Sequence, residues 1–566
     1  MANDSEVRVS AGGLTLKLYR GEGACLLAFD LAAEQATRDF VGFSVEVRYP
    51  GSTRWGALRN RLHFDYPPRQ ELPRSYKSTE APFQTFRWVH VPTDVSAPGV
   101  FEYRVAACYM DAAGAVAPRA SVQASISLQP RTIASFLDVA FTRGFASSQA
   151  YADRFHNETG ILPPRGAPGS ASLQHDMSPY EAEYAWLGFE ARRLIYRVLD
   201  EAAADASLTL DALIYELREP AILARLEALG PRLRAVVDDH DEMGAADSAE
   251  SLACVRLAAA GARVRRLHFG RQQHHKVFVV RRDGVPVRAL GGSTNFSLRG
   301  LYIQANNVLL FDGEAAAGPF GALFDACWTS PSSFRRKTIS QQWHVIRNEP
   351  GSRVAVSFSP KRDASLSLAP VAQAIEQARS SVLYSVVFLN QIGGQVRQAL
   401  DDLMQRSLFS YGVAQRTSGL TVHKPDGSRG LLPFAWLADN APVPFKTEWS
   451  GDAEGQSNMV HHKFVVVDFN TENPVVFTGS SNLSAGGELD NGDHLIRLED
   501  RSVATAYAIE ALRLFDHFHF RVAARERDAQ KTLRLQKPPA PGGRTWFAPY
   551  YLVSHVKERD RLLFSS

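Results

Sequence analysis

The chain has 566 residues, of which 45% are hydrophobic and 22% charged, and its formal net charge is +3. This length exceeds what one hydrophobic core usually supports, so we expect two or more domains. A net charge so close to zero excludes a global field strong enough to indicate nucleic acid or an anionic membrane as a partner. Any basic site must therefore be local.

The amino-terminal residues lack the basic and apolar segments of a secretory signal, and no stretch is apolar enough to cross a membrane. The cysteines are far apart and form no CxxC pair, which favours a reducing compartment and argues against a zinc-cysteine site. We interpret them as small buried apolar residues. They are Cys25, Cys108, Cys254 and Cys327. Together these features predict a cytoplasmic protein.

Residues 1–130 contain short runs of alternating apolar and polar residues, separated by Gly, Pro and Asp turns. Several strands at this spacing, without helical periodicity, predict an all-β domain of the immunoglobulin-like sandwich type. The aromatic side chains of Phe83, Phe86 and Trp88 are expected in its core. The segment indicates no chemistry and no particular partner.

After Pro130 the pattern changes to strands that alternate with amphipathic helices. A helix is predicted over Tyr180–Ala206 and a strand over Leu208–Leu217, and this alternation predicts an α/β architecture with a substantially parallel sheet. The segment Leu162–Pro179, rich in Pro, Gly and Ser, interrupts the pattern. It is either an exposed connection without function or a loop over an active site.

The second region contains an internal repeat. HHKVFVV, starting at His274, is followed by GGSTN, and HHKFVVV, starting at His461, is followed by TGSSN. In both copies the first histidine precedes the asparagine, Asn295 or Asn482, by 21 positions. Equal spacing of this kind implies equal geometry.

The surroundings of the two copies repeat as well. Each copy follows a helix and an apolar strand and precedes another apolar strand, NNVLLFD in the first and DHLIRLED in the second. The economical interpretation is two homologous halves, residues 131–345 and 346–525. Residues 526–566 are then a C-terminal extension.

Each repeat pairs a histidine with a lysine. Alternate side chains of a strand share a face, so His274 is expected beside Lys276 and His461 beside Lys463, with the second histidine of each doublet on the opposite face. Imidazole can act as nucleophile, acid or base near neutral pH, and an ammonium group stabilises negative charge on oxygen. The hydrogen-bonding side chains that complete this phosphate trap are Ser293, Asn295, Ser480 and Asn482.

In such a trap one histidine attacks phosphorus to give a covalent phosphohistidine, while the other protonates the leaving oxygen and later activates water. Asp468 lies five positions after Lys463, an odd offset that places it on the opposite face of a strand and makes it a supporting residue. A zinc site built from the four histidines is the alternative chemistry, but the neighbouring lysines would repel the metal. We therefore predict no metal and no cofactor.

The pattern H-x-K, then Asp, then G-S-x-N resembles the HKD motif of the phospholipase D superfamily. The second copy matches it in full, and the first matches except that Arg281 stands at the aspartate position. The matching residues are His274, Lys276, Gly292, Ser293 and Asn295 in the first copy and His461, Lys463, Asp468, Gly479, Ser480 and Asn482 in the second. The resemblance covers residues 131–525 and leaves the amino-terminal β domain outside it.

The resemblance implies two α/β halves packed about a pseudo-twofold axis, which share one metal-independent phosphodiesterase site. It also implies that one motif histidine is the nucleophile and the other the general acid. By analogy with two-motif relatives we assign the nucleophile to His274 and the acid to His461, and the reverse assignment stays open. Because Arg281 replaces an aspartate, a weakened or inactive site is a further alternative.

The superfamily acts on phospholipids and on nucleic acids, and fold alone does not choose between them. A nuclease would use a basic groove, and the segment Arg263–Lys276 carries four arginines, which strand alternation divides between two faces. These are Arg263, Arg265, Arg266 and Arg271. A phospholipase would need exposed apolar surface, for which the aromatic and Pro-rich insertion Leu431–Trp449 is the candidate.

We favour phospholipase D-type cleavage of a phospholipid head group, which would bring peripheral contact with a membrane. An HKD-type nuclease that cleaves DNA or RNA is the close alternative. A third alternative is a binding protein with a degenerate HKD site. The near-neutral total charge disfavours the nuclease, whereas the absence of a secretory signal disfavours a secreted lipase.

Overall fold

The computed structural model describes residues 5–65, 75–93, 99–128, 132–133, 136–144, 148–164, 167–414, 420, 423–426, 428–433, 460–527 and 533–566. Contacts divide the chain into two compact units. The first comprises the described residues of Met1–Pro130 and Thr505–Ser566, and the second comprises those of Arg131–Asp439 and Glu448–Ala504.

The described residues form strands and helices of ordinary length. The strands are β1 (Glu6–Ala11), β2 (Leu14–Arg20), β3 (Cys25–Leu31), β4 (Phe40–Arg48), β5 (Gly56–Ala57), β6 (Arg59–Asn60), β7 (Tyr76–Lys77), β8 (Arg87–His90), β9 (Val100–Met110), β10 (Val116–Ser127), β11 (Leu137–Phe141), β12 (Leu208–Ile214), β13 (Leu217–Arg218), β14 (Leu233–Val237), β15 (Arg263–Arg266), β16 (Lys276–Arg282), β17 (Val285–Gly292), β18 (Phe296–Ser297), β19 (Asn307–Asp312), β20 (Trp343–Glu349), β21 (Ser352–Phe358), β22 (Ser381–Val386), β23 (Phe409–Ala414), β24 (Leu431–Pro433), β25 (Lys463–Val467), β26 (Val475–Gly479) and β27 (His494–Asp500). The helices are α1 (Gln149–Phe155), α2 (Glu181–Ala204), α3 (Pro220–Leu229), α4 (Ala249–Ala259), α5 (Glu314–Thr329), α6 (Ser365–Gln377), α7 (Gly394–Leu403), α8 (Ala485–Asp490), α9 (Arg501–Arg527) and α10 (Val556–Ser565).

The first unit contains two antiparallel sheets of four strands, in the orders β1-β2-β3-β8 and β10-β9-β4-β5, and a ribbon of β6 and β7. In β2 the sequence alternates, because Leu14, Leu16 and Leu18 are fully buried whereas Thr15 and Lys17 are partly exposed. A period of two is what a strand with one face on a core requires. The short strands expected from the sequence are therefore present.

Residues 533–566 belong to the same compact unit as these strands. The indole N–H of Trp546 donates to the carbonyl oxygen of Phe40 at 3.0 Å, and the hydroxyl of Tyr551 donates to that of Leu31 at 2.7 Å. From residue 533 on, the predicted C-terminal extension thus packs on the amino-terminal sheets.

Of the three aromatic residues expected in the first unit's core, two are buried. These are Phe83 and Phe86, whereas Trp88 is partly exposed and stacks on Phe83 with ring centroids 3.9 Å apart. All four cysteines are free, and three are buried while Cys254 is partly exposed. None of the described helices is long and apolar enough to span a bilayer.

The second unit contains two larger sheets. One has seven strands in the order β11-β19-β17-β16-β12-β14-β15, and the other has eight in the order β20-β21-β27-β26-β25-β22-β23-β24. The order from β11 to β15 in the first matches the order from β21 to β24 in the second. In both, only the last three strands pair in parallel, and the other pairs are antiparallel.

The sheets are therefore mixed, and the prediction of a substantially parallel sheet is wrong. The physical reason lies in the centre of each sheet, where β16 is joined to β17, and β25 to β26, without a helix between them. Asp283 and Gly284 both have positive φ, 51° and 82°, and form a tight turn that joins β16 to the antiparallel β17. Helix and strand alternation persists only on one side of each sheet.

The strand that follows each histidine doublet lies inside its sheet. β16 begins at Lys276 and β25 at Lys463, and the residues of both strands are buried up to Arg281 in the first and throughout the second. Because these strands are buried on both faces, they appear in the sequence as continuous apolar runs. The histidines lie just before the strands rather than within them.

Two glycines close the strands beside the doublets. Gly292 and Gly479 have φ of 147° and 143°, and a Cβ would lie 2.4 Å from Asn307 O in the first and 2.3 Å from His494 O in the second. Only glycine tolerates this conformation and this approach. Each close approach brings the Ser and Asn of the motif to the end of the sheet where the histidines lie.

β12 ends at Ile214, earlier than the predicted strand Leu208–Leu217. Ile214 pairs with Lys276, so Tyr215 and Glu216 leave the sheet at the level of the first histidine doublet. The sequence pattern did not indicate this early exit, because both residues continue an apolar or amphipathic run. The exit places two side chains near the candidate site.

Upstream of β12, α2 (Glu181–Ala204) lies within the helix predicted over Tyr180–Ala206. The segment Leu162–Pro179 contains a short 3₁₀ helix, Gly169–Gln174, which packs against α3 and α4. This segment is therefore partly ordered by packing.

Candidate functional site

The two predicted histidines open into one cavity of about 710 Å³ within the second unit. The residues around it come from both large sheets. His274, Asn295 and Tyr215 belong to the first copy, and His461 and Asn482 to the second. The structure thus brings together the two copies that the sequence separates.

His274 is oriented by a carboxylate from the other copy. Its Nδ1 lies 2.7 Å from Asp493 Oδ1, and the hydroxyl of Ser480 donates to the same oxygen at 2.7 Å. Since a carboxylate oxygen accepts, Nδ1 carries the proton and Nε2 keeps its lone pair. Asp493 is 1% exposed, so water does not compete for this bond.

His461 is oriented by an amide from the first copy. Its Nδ1 lies 2.9 Å from Asn306 Oδ1, to which the hydroxyl of Ser293 donates at 2.8 Å. Asn306 in turn donates its Nδ2–H to Gly300 O at 2.8 Å. Gly300 belongs to a π-helical turn, Arg299–Ile303, and its carbonyl fixes which way the amide points.

The two arrangements match in position and differ in charge. Asp493 and Asn306 each lie 13 positions after a motif serine, Ser480 and Ser293. Each holds the histidine of the opposite copy, but one is a carboxylate and the other a neutral amide. The two imidazoles therefore have different electrostatic partners.

The two lysines lie under the histidines. Lys276 Nζ donates to His274 O at 2.7 Å and lies 4.5 Å from the centre of the Tyr215 ring. Lys463 Nζ donates to His461 O at 2.9 Å and lies 3.0 Å from His461 Nε2. Both lysines are 1% exposed. Burial lowers the pKa of Lys276 to about 7, although Asp493 acts in the opposite direction.

Burial also lowers the pKa of the other basic groups on the floor. The pKa of His274 and that of His461 lie well below their ordinary value, first because of burial and then because of the two lysines. The pKa of Lys463 is likewise well below its usual range, because of burial and repulsion by Lys276. The histidines are thus neutral in the empty site, and a bound phosphodiester anion would favour their protonation.

The predicted phosphate-binding residues divide into two kinds. Asn295 and Asn482 line the cavity, and the Oδ1 of each is buried without a hydrogen-bond partner. Ser293 and Ser480 are fully buried, and their hydroxyls are occupied by Asn306 and Asp493. The serines therefore hold the orienting residues, which the sequence pattern did not reveal.

The second histidine of each doublet points elsewhere. His275 is fully buried and stacks on His494, with ring centroids 5.9 Å apart and planes 9° apart. His462 is also fully buried, and its ring meets Phe464 edge-on at 5.1 Å. Neither lines the cavity.

The residues at the motif's aspartate position have structural contacts. Asp468 accepts the backbone N–H groups of three residues at the start of β22, at 2.7–3.0 Å. Its counterpart Arg281 donates to Asp211 Oδ2 at 2.5 Å and to Asp325 Oδ2 at 3.0 Å. Neither Asp468 nor Arg281 lines the cavity.

The arginines of the predicted basic groove diverge. Arg265 stacks on the Trp328 ring at 4.4 Å, and Arg266 donates to Asp238 O at 2.8 Å. Of the four, Arg271 lines the cavity and is exposed. The described part of Leu162–Pro179 does not line it.

The insertion Leu431–Trp449, proposed as apolar surface for acyl chains, lies outside the described residues from position 434 on. Among the residues that are described, no group of three or more His, Cys, Asp or Glu side chains is placed to hold a metal ion.

Residues 200–328 match a family model described as cardiolipin synthase, PLD-like domain. The chain carries a phospholipase D-like domain. The match spans the first histidine doublet and its GGSTN segment, and it confirms the resemblance drawn from the motifs. A comparison with curated proteins finds no match.

Several solved structures are similar to the chain. Polyphosphate kinase from Porphyromonas gingivalis shares 13% identity over 81% of this chain and 71% of its own, with a TM-score of 0.39. Phosphatidylserine synthase from Haemophilus influenzae shares 11% identity over 60% of this chain and 93% of its own, with a TM-score of 0.39. Nuc, a phospholipase D family member from Salmonella typhimurium, shares 23% identity over 24% of this chain and 86% of its own, with a TM-score of 0.20. Such low TM-scores carry no argument about substrate.

Proposed function

We propose that the chain is a phosphodiesterase that acts through a covalent phosphohistidine, with phospholipase D-type cleavage of a phospholipid head group as its reaction. One observation carries the proposal. Two imidazoles, each held at Nδ1 by a buried residue of the opposite copy, line one cavity above two buried ammonium groups. The two copies are homologous halves in this proposal, which the matching strand orders support.

The chemistry would proceed in two displacements at phosphorus. His274 Nε2 attacks phosphorus, the bond to the leaving oxygen breaks, and His461 gives its Nε2 proton to that oxygen. Water then attacks the phosphohistidine while His461 takes the proton of that water, and the bond between phosphorus and nitrogen breaks. Lys276 and Lys463 hold the non-bridging oxygens on which negative charge develops.

The two orienting residues support the assignment of roles. A carboxylate at Asp493 stabilises the positive charge that His274 acquires when its Nε2 bonds to phosphorus. The neutral amide of Asn306 gives no such stabilisation to His461, which makes that imidazolium the readier proton donor. His274 is therefore the nucleophile and His461 the acid.

Two features favour the phospholipase over the nuclease. The arginines at 263–271 do not form one stripe, since Arg265 and Arg266 are engaged with the protein. The cavity wall also carries the carboxylates of Glu216 and Asp241, which would repel a polyanion. The third alternative, a degenerate site, loses its main support because Arg281 does not line the cavity.

Turnover by wild type and by the double variant His274→Ala/His461→Ala tests the proposal. Substrates are bis(p-nitrophenyl) phosphate, phospholipid vesicles, and single- and double-stranded DNA, all with EDTA present. We expect release of the lipid head group by wild type and none by the double variant. His268→Ala, a partly exposed histidine outside the cavity, is the matched control and should keep wild-type rates. Histidine-dependent cleavage of DNA alone would replace phospholipase by nuclease, and inactivation by EDTA would contradict the metal-free mechanism.

A further inference from the structure

The floor of the cavity is nearly symmetric, but its walls are not. Ile214 pairs with Lys276 and Val386 pairs with Lys463, so the residues two positions after each strand end correspond. In the first copy that residue is Glu216, and in the second it is Phe388. Both line the cavity. One wall is therefore anionic where its counterpart is apolar.

The carboxylate of Glu216 is available to a ligand. Glu216 is partly buried and makes no hydrogen bond or ion pair with any residue of the described ranges. Asp241 also lines the cavity; it has a positive φ of 50°, its side chain is 78% exposed, and its carboxylate lies 2.8 Å from His240 Nδ1. Arg271 lines the cavity and is exposed as well, so solvent and salt screen the charges of both residues, and the less exposed Glu216 is the main charge of the cavity wall.

Buried acceptors without partners provide a second, independent observation. Asn295 and Asn491 are 5% and 8% exposed, both line the cavity, and the Oδ1 of each has no hydrogen-bond partner. An ionised phosphodiester offers only acceptors, so it can pair with the amide N–H groups of these residues but not with their oxygens. Leaving a buried acceptor unpaired is costly, which indicates that a ligand brings N–H or O–H donors.

We infer that the cavity residues Glu216, Asp241 and Asn491 provide a subsite for a primary ammonium group on the leaving alcohol of the substrate. This inference rests on the proposed phosphodiesterase function and names its substrate class, an aminoalcohol diester of the ethanolamine type. A primary ammonium supplies a direct ion pair, which Glu216 makes with no residue of the described ranges, and the N–H donors that the amide oxygens lack.

The same contacts discriminate against related head groups. A quaternary ammonium has charge but no N–H donor, and the Tyr215 face that could hold it is covered by Lys276 at 4.5 Å. A glycerol head group has donors but no charge. A nucleotide leaving group would place a second phosphate beside the carboxylates, where like charges repel.

The test compares kcat/KM for short-chain phosphatidylethanolamine, phosphatidylcholine and phosphatidylglycerol that share the same acyl chains. Wild type should prefer the ethanolamine diester, and Glu216→Gln should reduce that preference about tenfold, as expected for loss of one charge-assisted contact at a partly exposed site. Bis(p-nitrophenyl) phosphate, which has no ammonium, is the reference substrate, and the loss of kcat/KM in Glu216→Gln should be about tenfold larger for the ethanolamine diester than for this reference. Glu242→Gln, an exposed acid outside the cavity, is the matched control.

A binding measurement separates failure of the inference from failure of the function. Calorimetric titration of the double variant His274→Ala/His461→Ala with glycerophosphoethanolamine and with glycerophosphocholine needs no turnover. Tighter binding of the ethanolamine compound that Glu216→Gln removes supports the subsite even if no diester is cleaved. Equal affinity for both compounds, or a preference that survives Glu216→Gln, overturns the subsite even if bis(p-nitrophenyl) phosphate is hydrolysed.

Discussion

Replacing Asp493 by Asn removes the charge behind the proposed nucleophile and keeps its shape. The bond from His274 Nδ1 to Asp493 Oδ1 is 2.7 Å long and lies in a site where Asp493 is 1% exposed, so solvent does not screen it. A hydrogen bond to a charged group contributes about 1.5–3 kcal/mol. At about 1.4 kcal/mol for each factor of ten, we expect kcat to fall about 10- to 150-fold.

The loss should appear in kcat rather than in KM, because Asp493 contacts His274 and does not itself line the cavity. The assay is steady-state hydrolysis of bis(p-nitrophenyl) phosphate, with rapid-quench measurement of the phosphohistidine. Stability should change little, because the neutral amide avoids the burial cost that raises the pKa of Asp493, whereas Lys276 loses the attraction of that carboxylate. The midpoint of thermal unfolding checks this.

The reciprocal variant Asn306→Asp supplies the control. It places a carboxylate behind His461, which should raise the pKa of that imidazole and weaken it as an acid. The contacts of His274 stay unchanged in this variant. A kcat of Asp493→Asn within twofold of wild type, or a lower kcat in Asn306→Asp than in Asp493→Asn, would refute the assignment of roles.

Three other predictions concern the floor and the motif positions. Because the pKa of Lys276 is lowered to about 7 by burial, the free enzyme loses this positive charge as pH rises through 7, so kcat/KM should decline there. Lys276→Met should be slower and should lack that decline in a pH profile. Arg281→Asp, which restores the motif residue, should lower the free energy of unfolding by more than Arg281→Met does, because it places a third carboxylate beside Asp211 and Asp325. The loss in Arg281→Met should be about 1–3 kcal/mol. Urea unfolding measures both losses, and equal losses would contradict the reasoning. Asp468→Ala should cost about 2–4 kcal/mol of unfolding free energy, since three backbone N–H groups lose their acceptor, while kcat of the folded fraction stays unchanged.

The catalytic core of the site could be predicted because its residues lie in short sequence segments that occur twice. Each copy has its histidine and lysine at the same offset, and this equal spacing predicted equal geometry. The pairs are His274 with Lys276 and His461 with Lys463. The convergence of the two copies on one cavity followed from the family resemblance.

The orienting residues could not be predicted in the same way. Asn306 lies 155 positions from His461, and Asp493 lies 219 positions from His274. Each lies one position before the apolar strand that follows its repeat, β19 or β27, so the repeat itself was visible in the sequence. Their roles depend on contacts between the copies, which spacing within one copy does not encode. For the same reason the sequence predicted that the motif serines bind phosphate, although in the structure they hold the orienting residues.

The sheet direction was mispredicted for a different reason. Helices precede both β12 and β22, which favours parallel crossovers, but no helix separates β16 from β17 or β25 from β26. Short connections between adjacent strands force antiparallel pairing. The short gaps after β16 and β25 would have predicted antiparallel pairs at these two positions.

The arrangement of the first unit sets an order of events during synthesis. Phe40 packs against Trp546 with ring centroids 5.4 Å apart, and Phe86 packs against Tyr550 at 4.6 Å. The ribosome makes the strands first and these aromatic partners only after the whole second unit. At about 5–20 residues per second, roughly 400 intervening residues delay completion by about 20–80 s. The second unit can therefore fold first, and the apolar faces of the amino-terminal sheets stay uncovered until their last partners emerge.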